Sequence, residues 1–499
     1  MFLHKIVANL YRDSVSLMQL SAALAKMAGI EQASAVMATP ANLDLLREAG
    51  LMGATIGASP NDLLVAVSGK SAQPLEAALA AAVAALDKAP DQAAGSGPAA
   101  QPLRSLQMAQ AQAPQANLAL ISVPGEYAAA EAMKALRLGL NVMLFSDNVA
   151  PSDEIALKKF GREKGLLVMG PDCGTAIIDG VPLGFANAVR RGAIGVVGAS
   201  GTGTQQVTSL VHRQGAGISH AIGTGGHDLS REVGGITMLE GLKRLAADRE
   251  TKVIVLISKP PAPSVAAEVL ATARKSGKPV VVNFVGSKDV FSEKNLFSAK
   301  TLEEAALSAV ALSKGKRPSS ISLTTKTPAV KFKKNQRFIR GLYSGGTFCY
   351  EASALIGDAW SNAPVDAARK IPDPWKSREH TLIDLGDDVF TRGRPHPMID
   401  HRLRNERLLA EAADPQVAVI LFDVVLGYGS HPDPAAEMVP TLAAARKKNR
   451  TVAFVASVCG TDEDPQGLAR QEAALRKAGV LLAGSNARAV MLSLSLIKK

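Results

Sequence analysis

The feature that most constrains this 499-residue chain is a local pattern that occurs twice: a short apolar strand, a glycine-rich turn carrying hydroxyls, then a helix. IGVVGASGTGTQQV (194–207) parallels IRGLYSGGTFCYEA (339–352), and GTGG (223–226) parallels LGDD (385–388). VIVLIS (253–258) parallels VAVILF (417–422), and KPVVVNFVGS (278–287) parallels RTVAFVASVCGT (450–461). The four pairs keep their order, as two diverged copies of one unit do when insertions collect in loops. Short apolar runs that alternate with helical patterns need crossover connections, hence parallel sheets. Most of the chain is therefore read as α/β.

Ahead of the repeat, residues 1–88 read as a small α+β domain. Strands are expected at Leu3–Leu10, Ser34–Ala38 and Leu63–Val67, and helices at Ser14–Ala28, Asn42–Ala49 and Pro74–Leu86. That order is a split βαβ arrangement. Residues 89–116 carry Ala, Gln, Pro and Gly without periodicity and read as a linker. Residues 117–191 read as a truncated Rossmann-like domain. Residues 192–312 and 337–499 are the two copies, joined by a second linker at 313–336.

Composition narrows the function classes. The chain is 47% hydrophobic and 20% charged, enough to bury several cores, and its 4% aromatic content makes those cores aliphatic. The net charge is +11. The basic cluster Lys331, Lys333, Lys334, Arg337 and Arg340 falls at a domain junction, and no nucleic-acid motif accompanies it. We expect no nucleic-acid partner; the charge favours small anionic substrates. No apolar run reaches the ~18–20 residues that span a bilayer, and the start lacks a signal-peptide core. The expectation is a cytoplasmic protein with no membrane partner. Three Cys without a C-x-x-C spacing give neither a disulfide framework nor a metal site.

Four motifs carry candidate chemistry. Ser200, Gly201, Thr202, Gly203 and Thr204 lie between a strand and a helix, where backbone N–H groups and hydroxyls form a phosphate or carboxylate cradle. Ser344, Gly345, Gly346 and Thr347 are their counterpart, so two helix starts are expected to face one anion. In the second motif, Gly225 and Gly226 bring backbone to the crevice at the strand ends, and His227 is either an acid/base or anion donor or a solvent-facing loop residue. In the third, GPDCGT (170–175), Asp172 is a candidate for orienting a substrate amide, and Cys173 reads as a small buried residue. The fourth is the polar run Asp384, Gly386, Asp387, Asp388, Arg392, Arg394, His396 and Asp400, which either lines a site or is a solvated loop. Asp387, Asp388, Arg392, Arg394 and His396 are taken as substrate-binding candidates. Lys259, His431 and Asp433 are weaker ones.

These segments resemble the succinyl-CoA synthetase superfamily: residues 117–311 its α subunit, residues 337–495 the CoA-ligase part of its β subunit. More narrowly, DSVSLM (13–18), NVMLFSDNV (141–149), GLLVMGPDCGTAI (165–177), GASGTGTQ (198–205), LISKPPAP (256–263), FIRGLYSGGT (338–347) and RPHPMID (394–400) are similar to the FdrA family. The resemblance implies an α/β fold class: a Rossmann-like unit plus two flavodoxin-like, succinyl-CoA synthetase-type parallel-sheet domains, preceded by the small α+β domain. It also implies a subunit of an oxamate carbamoyltransferase-type enzyme (carbamoyl phosphate and oxamate interconverting with oxalurate and phosphate) in allantoin breakdown. Two companion proteins and an oligomer follow from it, with CoA a possible cofactor. The alternative is an acyl-CoA synthetase whose nucleotide site a partner supplies. The superfamily ligases pass phosphate through a histidine in a loop that corresponds to SKDVFSEKN (287–295), which has none.

Overall fold

Strands that are apolar on both faces have to be covered on both faces, and such strands form the two central sheets. The computed structural model describes residues 1–53, 56–87, 103–287, 289–324, 327–392 and 394–498. In chain order the strands are β1 (Phe2–Val7), β2 (Ile30–Met37), β3 (Leu63–Gly69), β4 (Leu118–Ile121), β5 (Asn141–Leu144), β6 (Val168–Met169), β7 (Thr175–Ile178), β8 (Val181–Gly184), β9 (Arg191–Gly198) and β10 (Ile218–Gly223). They continue as β11 (Val253–Ser258), β12 (Val280–Phe284), β13 (Leu296–Ser298), β14 (Phe338–Tyr343), β15 (Trp360–Ser361), β16 (Thr381–Asp384), β17 (Val417–Val425), β18 (Ala453–Cys459) and β19 (Leu481–Ala483).

The internal repeat is visible in the strand order. The seven-stranded sheet runs β13-β12-β11-β9-β10-β7-β8, and the six-stranded sheet runs β15-β16-β14-β17-β18-β19. Pairing β9 with β14, β10 with β16, β11 with β17, β12 with β18 and β13 with β19 makes the two five-strand cores identical in order. Both are parallel within those cores and follow the flavodoxin-like 2-1-3-4-5 sequence. The first sheet gains an edge hairpin, β7–β8, antiparallel to β10. Its turn is Asp179-Gly180, both at positive φ (53° and 82°), the geometry that Asp-Gly favours.

The other two sheets are small. In the first 87 residues the order is β1-β3-β2, antiparallel throughout, as a split βαβ arrangement requires. Strands β4-β5-β6 form a parallel three-stranded sheet. Of the expected linker 89–116, residues 89–102 lie outside the described residues. Leu106–Gln112 within it is a helix, capped by Ser105, whose hydroxyl accepts the N–H of Met108. Across 314–336 no regular element forms among the described residues, yet Val330 and Phe332 pack on the main core. No helix among the described residues is long and apolar enough to cross a membrane.

The largest core lies between the two repeats. Helices Gly201–Arg213 and Leu302–Ser313 of one unit contribute Val207, Leu210, Ala305 and Ala309, and helices Gly346–Ile356 and Asn486–Ile497 of the other contribute Phe348, Ala352, Ala489 and Val490. Helix Ser14–Ala25 of the first domain joins this core through Ala22, with Val15 and Met18 packed against it. Tyr11 and Ser14 donate to the carbonyl of Ser122, just past β4. At the far end of the helix, Lys26 Nζ lies 3.0 Å from His431 Nε2 and 3.1 Å from Glu437.

A buried polar knot ties the segment leading into β9 to the second repeat. Asp464 accepts the N–H groups of Ala188 (2.7 Å) and Thr461 (2.8 Å) and the amide of Asn187 (2.8 Å). Asp464→Ala leaves these donors unsatisfied at about 1–3 kcal/mol each. We expect a stability loss of roughly 3 kcal/mol or more, read as a lower urea midpoint with an unchanged far-UV spectrum.

Candidate functional site: paired helix starts over a carboxylate-lined crevice

The two repeats pack so that the starts of their first helices meet. Ser200 is the N-cap of helix Gly201–Arg213, its Oγ accepting the N–H of Gly203 at 2.9 Å. That same Oγ lies 2.5 Å from Thr347 Oγ1, in the first turn of helix Gly346–Ile356. Gly345 permits the approach: a Cβ there would stand 2.9 Å from Thr202 Cγ2. The first N–H groups of a helix have no intrahelical acceptor. Those of Gly201, Thr202, Gly346 and Thr347 take no partner among the described residues. Four donors and the positive ends of two helices therefore gather at one place.

Part of the expected cradle is otherwise engaged. The N–H groups of Ser344 and Gly345 donate to Asp423 (2.8 and 3.0 Å), and the Ser344 hydroxyl does the same. The reading of Ser344 and Gly345 as phosphate donors is corrected accordingly. Asp423 is fully buried and ion-paired with Arg404, whose Nη1 also donates to the Asp423 carbonyl at 2.6 Å. Burial raises the Asp423 carboxyl and Arg404 opposes the shift. Gly203 is spent on Ser200. Thr204 is buried and turned back onto the strand, where a Cβ on Gly198 would strike its Oγ1.

The crevice wall comes from the strand ends. Asp384 closes β16, with its Oδ1 accepting the N–H of Gly386 at 3.0 Å. Burial pushes its carboxyl up to about 6, against the pull of Lys259. His396 Nδ1 accepts the N–H of Met398, so the ring proton sits on Nε2, which faces Gly386. Burial lowers this imidazole to about 4, leaving it neutral. Asp172, at φ 55°, lies after β6 and is exposed. Desolvation by the protein around it, followed by the charges of Asp147 and Asp388, pushes its carboxyl up to about 7; Lys259 opposes it. Lys259 follows β11 and makes no ion pair among the described residues; its Nζ lies 5.7 Å from the Tyr350 ring centre.

Two expected motifs come together here. Gly225 (φ 83°) packs so tightly on the Pro171 carbonyl that a Cβ would lie 2.0 Å from it, and Gly226 sits beside the Asp172 carboxylate. The turn is held from below by Lys158, which is fully buried and donates to Glu154 (2.6 Å), Asp228 (2.7 Å) and the Thr224 carbonyl (3.0 Å). Asp228 also caps helix Ile236–Ala247 through the N–H groups of Thr237 and Met238. His227 is exposed, with no side-chain hydrogen bond among the described residues. Asp387 caps the short helix Asp388–Thr391 and accepts from Asn362. Arg394 lies over the Trp375 ring, and Arg392 is exposed. Cys173, Cys349 and Cys459 are all buried; burial pushes the Cys173 thiol up to about 12. No group of three His, Cys, Asp or Glu able to hold a metal occurs among the described residues.

Sequence reasoning missed Asp423, Arg404 and Lys158. Asp423 had a signal: it is a single acid within the apolar run VAVILFDVVL (417–426), where an unpaired charge would be costly. Arg404 and Lys158 sit in charge-rich helical segments and had none. Lys158→Met strands two buried carboxylates. About 3–5 kcal/mol of stability should be lost, measured by chemical denaturation; a loss below 1 kcal/mol would mean the triad does not hold the turn.

Residues 1–102 match the family model described as AllF, heavy metal-associated domain; residues 189–286 match the CoA binding domain, and residues 342–496 match CoA-ligase. The AllF-matched stretch holds no cysteine and a single histidine, His4. A succinate–CoA ligase [ADP-forming] subunit alpha-2 of Trichomonas vaginalis is 33% identical over 177 residues, 34% of this chain and 56% of that protein. A subunit alpha 2 from Archaeoglobus fulgidus is 31% identical, over 33% of this chain and 58% of that protein. The dinucleotide-forming acetyl-coenzyme A synthetase 1 of Ca. Korarchaeum cryptofilum aligns over 76% of this chain and 82% of its own, at 16% identity and TM-score 0.33. The uncharacterized protein YahF of Escherichia coli (strain K12) is 44% identical over 99% of this chain and 98% of its own length. The chain belongs to the YahF family.

Proposed function

We propose that this chain handles the phosphate side of an acyl transfer in which an acyl phosphate gives its acyl group to an acceptor and releases phosphate. The observation that carries this reading is the contact between Ser200 and Thr347, which sets four unpartnered N–H groups around one point. Donors fixed before the reaction stabilise charge that develops on a leaving phosphate. Lys259 draws the anion in, and Asp172, close to neutrality in its titration, takes the proton of the incoming nucleophile. The acceptor we favour is the thiol of CoA, making this an acid–CoA ligase of the succinyl-CoA synthetase type. The matches to CoA-binding and CoA-ligase models support that choice. The loop 287–295 has no histidine to carry phosphate, so nucleotide chemistry is assigned to a partner protein.

The AllF match favours a second reading: the oxamate carbamoyltransferase-type reaction that the FdrA resemblance implies, within allantoin breakdown. Both readings share the phosphate site and differ in the acceptor. The chain, co-purified with the products of neighbouring genes, separates them. Acyl-CoA formation from an acyl phosphate and CoA supports the ligase. Phosphate release from carbamoyl phosphate that depends on oxamate supports the transferase, and neither activity would sink both. Under either reading, Thr347→Val and Ser200→Ala lower kcat/KM by about 100–1,000-fold, the scale of losing one oxyanion donor.

A further inference from the structure

Asp384 is 8% exposed, and only one of its two carboxyl oxygens is satisfied. Oδ2 takes no hydrogen bond among the described residues and bears on the start of helix Gly346–Ile356: a Cβ on Gly346 would stand 2.5 Å from it. An oxyanion seated on the N–H groups of Gly346 and Thr347 therefore meets this oxygen. Two negative charges side by side at a buried carboxyl repel strongly unless one carries a proton. The cations nearby do not remove the conflict. Arg404 is committed to Asp423, and Lys259 acts on Asp384 without pairing with it. The other ionisable groups around Asp384 are Asp387, Asp423, the neutral His396 and the buried Cys349 thiol. None of these is positioned as a cation.

We propose that Asp384 is a catalytic acid that makes oxyanion binding proton-coupled: its Oδ2 holds a proton when the anion is bound and donates it to the anion. The proposal rests on the oxyanion reading above and adds the group that supplies the proton. When an acyl phosphate dianion loses its acyl group, the carbon–oxygen bond breaks and its electron pair stays on the phosphate oxygen. That oxygen needs one proton to leave as hydrogen phosphate, and Asp384 gives it. The nucleophile loses one proton in the same turnover, to Asp172, so the sum balances. The free protein is already prepared for this role, since burial holds the Asp384 carboxyl at about 6. The sign is fixed: below that value the group is neutral and donates, and above it the ionised group repels the ligand.

Sulfate tests this, because it stays a dianion from pH 5 to 8 and brings no proton of its own. Calorimetric titration of the full chain should show sulfate binding that weakens by up to about tenfold per pH unit above pH 6. Proton uptake, obtained from buffers of different ionisation enthalpy, should approach one per sulfate at pH 7. In Asp384→Asn most of the uptake should be lost, and the affinity should no longer fall tenfold per pH unit above pH 6. Wild-type binding without proton uptake overturns the proposal even if the variant fails to fold, as does an unchanged slope in Asp384→Asn. No sulfate binding by the wild type at any pH overturns the oxyanion reading itself.

Discussion

Everything at the centre of this molecule depends on two helix starts lying against each other. Positive helix ends repel, and their first N–H groups need acceptors. The fold manages this by inserting carboxylates. Asp423 takes two N–H groups of the turn before one helix, and Asp384 stands beside Gly346. The hydroxyl contact between Ser200 and Thr347 closes what is left. A surplus of acid at this point offsets the two dipoles, yet four donors stay open. The site is thus neither a bare anion hole nor a filled one.

The repeat and its sheets were legible because strand and helix periods differ, and because the two copies punctuate alike. The Ser200 and Thr347 turns were legible for the same reason. What the sequence concealed is which donors remain free. Ser344 and Thr347 belong to one motif, but Asp423, 79 residues further along, claims the first and leaves the second. Lys158 lies on a helix that reads as an ordinary charged surface; its burial follows from Asp228, 70 residues away. Arg394, chosen for its charge, is drawn to the Trp375 ring instead. The β7–β8 hairpin was in plain view as an Asp-Gly turn between apolar runs, but it falls in a stretch whose dominant pattern is parallel.

Asp423, Asp172 and Asp384, all raised carboxyls, differ in how firmly they are held. Asp423 is locked by Arg404 and three donations, so it works as part of the frame. Asp172 and Asp384 each keep freedom to exchange a proton and share Lys259 as the nearby cation. Movement of that single side chain would shift both groups in the same direction. A ligand that attracts Lys259 would therefore raise the proton affinity of two acids at once.

The helix Ser14–Ala25 reaches from Ser122 at one end to His431 and Glu437 at the other. Synthesis on the ribosome runs from the amino terminus, so the first domain leaves the exit tunnel long before residue 431 exists. Its strands pair only among themselves and form early. Val15, Met18 and Ala22, however, belong to a core that residues of both repeats build. The nascent chain thus carries this apolar face before the rest of that core has been made.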